Sequence, residues 1–135
     1  MQPPADAFQI IVKVLPEDID MMDHVNNVSY LRWVQDVALA HWRHAATPEE
    51  QRKWLWFVIR HEIDYKHPAV LGDEIIAKTW VDSATGLKFH RHTELRRASD
   101  GILLVKALSI WCPIDAQTRR PSLASDEIRR RFSIA

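Results

Sequence analysis

The sequence predicts an α+β domain in which a five-stranded antiparallel sheet wraps one long central helix. Three observations predict it. From Asn27 the chain repeats apolar residues at helical spacing over more than four turns. After Trp54 the period changes from near four to two, the mark of strands with one face buried. Turn signals then divide that stretch into four strands, with a fifth ahead of the helix. At 135 residues the chain fits one domain, residues 1–135, able to bury a core without staples.

Phe8 to Leu15 is rich in β-branched residues and stops at Pro16, which predicts the first strand. The helix runs from Asn27 to about His44, with apolar positions at Tyr30, Leu31, Val34, Val37, Ala38, His41 and Ala45. Trp33, Leu39 and Ala40 widen its apolar face beyond one stripe, so other structure must enclose it. Thr47, Pro48 and Glu50 have the order of a capped short helix reaching Lys53. Ile59, Ile63 and Tyr65 alternate with charged residues as strand two, and Pro68, Gly72 and Asp73 turn the chain. Glu74–Val81, Leu87–Arg97 and Ile102–Ile114 read as strands three to five, separated by turns at Thr85-Gly86 and Ser99-Asp100-Gly101. Short turns throughout imply consecutive hairpins, hence antiparallel pairing. Pro121 ends the sheet, and the polar tail from Ser125 to Phe132 closes the chain as a helix.

The bulk composition excludes several functions. Apolar residues make up 47% and charged residues 27%, the balance of a globular protein. Lys plus Arg equals Asp plus Glu at 18 each, so no net field recruits nucleic acid or an anionic membrane. The lone Cys112 cannot form an internal disulfide and reads as a small buried hydrophobe. The N-terminus lacks the basic and apolar runs of a signal peptide, and no apolar run of about 18 residues occurs, so a cytoplasmic protein is expected.

The chemistry concentrates in residues 17–31, where Asp18, Asp20, Asp23, His24, Asn26 and Asn27 fill the loop leading into the long helix. A helix start offers unpaired N–H groups and partial positive charge, which stabilise a carbonyl oxygen as it becomes negative. A neighbouring carboxylate can activate water or attack the carbonyl itself. On spacing alone the plainer reading is that Asp23 or Asn26 caps the helix and the rest are solvated loop residues.

The pattern Asp18-x-Asp20-x-x-x-His24-Val-Asn-Asn-x-x-Tyr30 resembles the signature of hotdog-fold thioesterases of the 4-hydroxybenzoyl-CoA thioesterase type. It is closest to that of bacterial long-chain acyl-CoA thioesterases and similar to a block in plant acyl-carrier-protein thioesterases. The likeness continues through Tyr65-Lys-His-Pro-Ala-Val-Leu-Gly-Asp and Pro113-Ile-Asp-Ala-Gln-Thr-Arg-Arg-Pro, covering nearly the whole chain. It implies a hotdog fold and hydrolysis of an acyl-CoA, on medium or long chains, without metal or cofactor. It implies Asp20 as the catalytic carboxylate, the Asn27 amide as carbonyl polariser and His24 in the network. Asn26, Tyr30 and Lys88 fall where the substrate is held, Lys88 toward the phosphates of CoA. It also implies a homodimer or homotetramer with sheets joined edge to edge. Met22 and Asp23 depart from the pattern: Met22 replaces an asparagine of the plant enzymes, and Asp23 a residue often Gly or Gln.

Other residues carry weaker signals. His41 and His44 lie one helical turn apart, yet no third ligand stands at a metal-like spacing. His90 and His92 fit a solvated or interface face. Trp54, Trp56, Trp80 and Trp111 fit core packing as well as an acyl tunnel. Arg129 to Arg131 read as a solvated tail. The rival functions are a non-catalytic acyl-CoA-binding hotdog protein, a hotdog dehydratase, and a thioesterase for acyl-carrier-protein or aromatic acyl groups.

Overall fold

The computed structural model describes residues 1–133. Strand β1 (Phe8–Lys13) is followed by a single 3-10 turn at Pro16–Asp18, helix α1 (Asn27–Ala45) and helix α2 (Pro48–Lys53). Strands β2 (Trp54–Tyr65), β3 (Glu74–Thr85), β4 (Lys88–Arg97) and β5 (Leu103–Asp115) precede a last helix, α3 (Asp126–Phe132). The elements match those expected, with β2 starting five residues earlier than its period-two pattern. β3 passes Val81 because the register shifts between Val81 and Ser83 and pairing then continues to Thr85.

The sheet order is β1-β3-β4-β5-β2, with every neighbouring pair antiparallel. This corrects the expectation of consecutive hairpins. β3–β4 and β4–β5 are hairpins, but β2 pairs with β5 and lies at the edge opposite β1. The connection after β2, residues 66–73, is longer than the two to five residues a hairpin uses. It crosses over the start of α1 instead. The Lys66 and His67 amides donate to Leu104 O, the Ala69 amide to the buried Tyr30 hydroxyl, and the Val25 amide to Ala69 O. Arg97 fastens its far end, donating to Pro68 O and pairing with Asp73 and Asp100.

Helix α1 starts and stops where its sequence dictates. The Asn26 side chain caps it by accepting from the Ser29 amide at 2.9 Å, a contact worth about 1 kcal/mol. Ala46, the end residue, lies two positions before Pro48, which cannot extend the helix. Its buried face reads Tyr30, Trp33, Val34, Val37, Ala38 and Trp42, steps of three, one, three, one and four. Arg32, Asp36, Arg43 and His44 stay exposed on the other side.

Two apolar clusters lie between helix and sheet. One joins Tyr30, Trp33, Val34 and Val37 to Ile75, Leu95, Leu104 and Val105 around the N-terminal half of α1. The second joins Ala38 and Trp42 to Val81, Phe89 and Trp111, and is capped by Ile128 and Phe132 from α3. Helix α3 is therefore part of the core, and of its arginines only Arg130 is solvated as a tail residue would be. Arg131 pairs with Glu50 and Glu127 and donates to Ala45 O; Arg129 donates to Ala84 O and Gly86 O. Among the described residues no helix is long and apolar enough to cross a membrane.

Candidate active site

The loop between β1 and α1 is folded back on itself. Ile19 and Val25 form an antiparallel bridge, the Asp20 amide donates to His24 O at 2.8 Å, and the Asn26 amide donates to Asp18 O at 2.8 Å. Residues 18–20 thus run alongside 24–26, which sets Asp20 beside the residues that lead into α1. Asp23, between them, has φ of 62°, a left-handed conformation that Asp tolerates better than most side chains.

Asp20 is exposed, and its two carboxylate oxygens differ. Oδ1 accepts from the Met22 amide at 2.8 Å and the His24 amide at 3.3 Å. Oδ2 has no protein partner among the described residues and is free to take a proton or form a bond. His24 supports this arrangement through its main chain, with both its N–H and C=O engaged by Asp20. Its imidazole is half-buried and bonded to no described residue.

Four N–H groups at the start of α1 have no intrahelical acceptor. Two are satisfied: Asn26 N by Asp18 O, and Ser29 N by its cap. The amides of Asn27 and Val28 bond no acceptor among the described residues, and both residues are exposed. These two donors and the positive end of the helix dipole are the feature able to hold a developing oxyanion. Asn27 takes part through its main chain.

Asp18, which spacing reads as solvated, is instead the anchor of the loop. It is 1% exposed. Oδ1 accepts from Ser29 Oγ at 2.8 Å and Arg32 Nη2 at 2.7 Å, and Oδ2 from the Leu15 amide at 2.9 Å. Burial alone would raise this carboxyl, but the Leu15 amide, Arg32 and Ser29 outweigh it and hold the group below the usual carboxylate range. Asn26 and Tyr30 are also tied to the protein. The Asn26 amide group donates to Asp18 O, and the Tyr30 hydroxyl accepts from Ala69, with burial pushing that phenol up. Lys88 is exposed at the first position of β4, well along the chain from the loop. Among the described residues no cluster of three or more His, Cys, Asp or Glu is placed to hold a metal.

A curled antiparallel sheet holding one long helix, with a carboxylate loop at the helix start, is the arrangement of hotdog-fold thioesterases. Residues 14–132 match the thioesterase-like superfamily, and the chain belongs to that family. It is 23% identical over 131 residues to the long-chain acyl-CoA thioesterase FadM of Escherichia coli, covering 93% of this chain and 96% of that protein. A chloroplastic acyl-carrier-protein hydrolase of Cuphea viscosissima is 30% identical over 87 residues, 64% of this chain. The chain spans only 21% to 27% of the length of the plant hydrolases it matches in that species. A Staphylococcus aureus protein solved in complex with CoA shares the fold, with a TM-score of 0.81 at 19% identity over 93% of this chain and 81% of that one.

Proposed function

We propose that this chain hydrolyses acyl-CoA thioesters, preferring medium or long fatty acyl groups. The observation that carries the proposal is a half-free carboxylate, Asp20, in the loop leading to the Asn27 and Val28 amides, which bond no acceptor among the described residues. The thioester carbonyl oxygen lies on those amides. Asp20 Oδ2 then takes a proton from an attacking water, or itself attacks the carbonyl carbon to form an anhydride that water opens. Either way the C–S bond breaks, CoA leaves as thiolate and is protonated, and a free carboxylic acid remains. Asn26 and Tyr30 serve the substrate by fixing the helix start and the 66–73 crossover. Lys88 contacts the phosphates of CoA. The test is a panel of CoA thioesters from acetyl to palmitoyl, with benzoyl-CoA and acyl-carrier-protein esters, followed by thiol release. Turnover should rise from acetyl to the medium or long chains; equal or faster cleavage of acetyl-CoA would refute the chain preference. Tight binding with no release would favour a non-catalytic acyl-CoA-binding protein.

The proposal includes self-assembly. β2 is a twelve-residue edge strand, with an open row of backbone groups on the side away from β5. On its outer face Leu55, Phe57 and Ile59 are exposed, Phe57 to 62%. Pairing of two β2 strands continues the sheet across a two-fold axis, and the outer-face residues supply a further contact for a dimer of dimers. Light scattering at micromolar concentration should give at least twice the monomer mass, and Phe57→Lys should lower the assembly state. A monomeric wild-type mass would contradict this assembly.

A further inference from the structure

Beside the second apolar cluster lies a cation that no described carboxylate pairs. Arg91, on the helix-facing side of β4 between Phe89 and Thr93, is 8% exposed. Its Nη1 donates to Thr79 Oγ1 at 3.0 Å and lies 3.0 Å from His41 Nδ1. Its Nε and Nη2 have no partner among the described residues, and no described carboxylate is within ion-pair distance of it. His41 does not offset the charge. Its ring stacks on Phe8 and meets the edge of Phe132; burial, then Arg91 and His44, pull its pKa down to about 3, so it is neutral. Burial pulls Arg91 itself to about 10, which still leaves a cation at neutral pH.

Arg91 lines a narrow cleft of about 20 Å³ whose walls include Trp42, Trp56, Phe89, Trp111 and Phe132. That volume holds one water as it stands, so a larger head group enters only as the Phe132 wall moves aside. Two of the walls, Trp56 and Trp111, have buried indole N–H groups with no acceptor among the described residues. Among the described residues, a guanidinium with two unbonded nitrogens, two orphaned donors and aromatic walls together lack one thing, an acceptor carrying negative charge. Guanidinium matches a carboxylate in planar, two-point geometry. The cleft begins at Ala38, about 16 Å along the axis from Asn27, so in this subunit it is separate from the Asp20 loop.

We propose that the Arg91 cleft is a second site, which binds the carboxylate of a ligand with an apolar body. The head group sits on Nε and Nη2 of Arg91 with the Trp56 and Trp111 N–H groups as added donors, and the body follows the aromatic walls, displacing Phe132 of α3. The carboxylate has two possible sources, a free carboxylic acid or the distal carboxyl of a dicarboxylic acyl thioester. The binding itself stands without the hydrolase reading; only the second source rests on it.

Tryptophan fluorescence and calorimetry with sodium octanoate and octan-1-ol test the site on the wild-type protein without CoA. Octanoate should bind at least tenfold more tightly than octanol, and Arg91→Met should abolish that preference while Arg91→Lys keeps part of it. In the ¹⁵N-labelled wild type, the Trp56 and Trp111 indole resonances should shift with octanoate and not with octanol, a readout that needs no foldable Arg91 variant. Equal binding of acid and alcohol, a preference that survives Arg91→Met, or unmoved indole resonances would overturn the proposal. The kcat/KM ratio of hexadecanedioyl-CoA to palmitoyl-CoA, whose chains are long enough to span from the helix start to the cleft, then separates the sources. A tenfold fall in Arg91→Met assigns the distal carboxyl, and an unchanged ratio assigns the free acid.

Discussion

Asp20→Asn should lower turnover of the best thioester by a factor of about 10² to 10⁴, the span a general base contributes, without unfolding the protein. The geometry makes this substitution unusually selective. The asparagine oxygen replaces Oδ1 and still accepts from the Met22 and His24 amides, so the tight loop is retained. The amide NH2 replaces Oδ2, the oxygen without a protein partner, and can neither take a proton nor attack a carbonyl. Melting temperature and assembly mass should match the wild type while thiol release collapses. Asp23→Asn should be mild, because Asn also tolerates the positive φ found there. Asn27→Ala should be milder than Asp20→Asn, since the oxyanion donor is its main-chain N–H. An Asp20→Asn protein that folds, assembles and turns over near the wild-type rate would sink the mechanism and leave acyl-CoA binding as the better account.

Helix limits and strand content were legible in the sequence because their signals are local. Apolar steps of three and four mark α1, and Asn26, Thr47 and Ser125 each accept from a first-turn amide as their residue types suggest. Strand order was not legible in the same way. Alternation identifies a strand and its buried face but carries no information on its neighbour, so the 66–73 crossover passed for a turn. Its eight residues were the one available warning. In the loop, the resemblance singled out Asp20, whereas spacing could not distinguish it from Asp18 two residues earlier. What separates them is tertiary: only Asp18 meets Ser29 and Arg32 from the turn of helix that follows. Arg91 was closer to legible. Phe89, Arg91, Thr93 and Leu95 are every second residue of β4 and all are buried, so the strand's phase already points the arginine inward.

The largest stability effect should come from Asp18, not from the catalytic position. Asp18→Ala strands the Leu15 amide and the Ser29 hydroxyl and removes the acid partner of Arg32. Arg32 is half-exposed, so solvent screens its part of the loss; the buried Ser29 hydroxyl dominates, with the part-buried Leu15 amide adding to it. We expect a cost of about 3 kcal/mol, or a fall of about 10 °C in melting temperature for a domain of this size. Asp18→Asn should be no gentler. It has one acceptor oxygen for donors on both sides of the group, so its NH2 must face either the Leu15 amide or the Ser29 and Arg32 donors. Activity should fall with stability in both variants, because Asp18 O and the Asp18 carboxylate tie the Asp20 loop to Asn26 and α1. pH supplies an independent check of sign. The folded carboxyl lies below its ordinary value of 3.8, so its stabilisation is complete well above that pH and is lost as pH falls through the lower folded value. The melting-temperature gap between wild type and Asp18→Ala should therefore be widest near neutral pH and narrow on acidification below about 4. A gap that is flat across that window would mean that Asp18 contributes packing alone, and the charged anchor beneath the Asp20 loop would have to be abandoned.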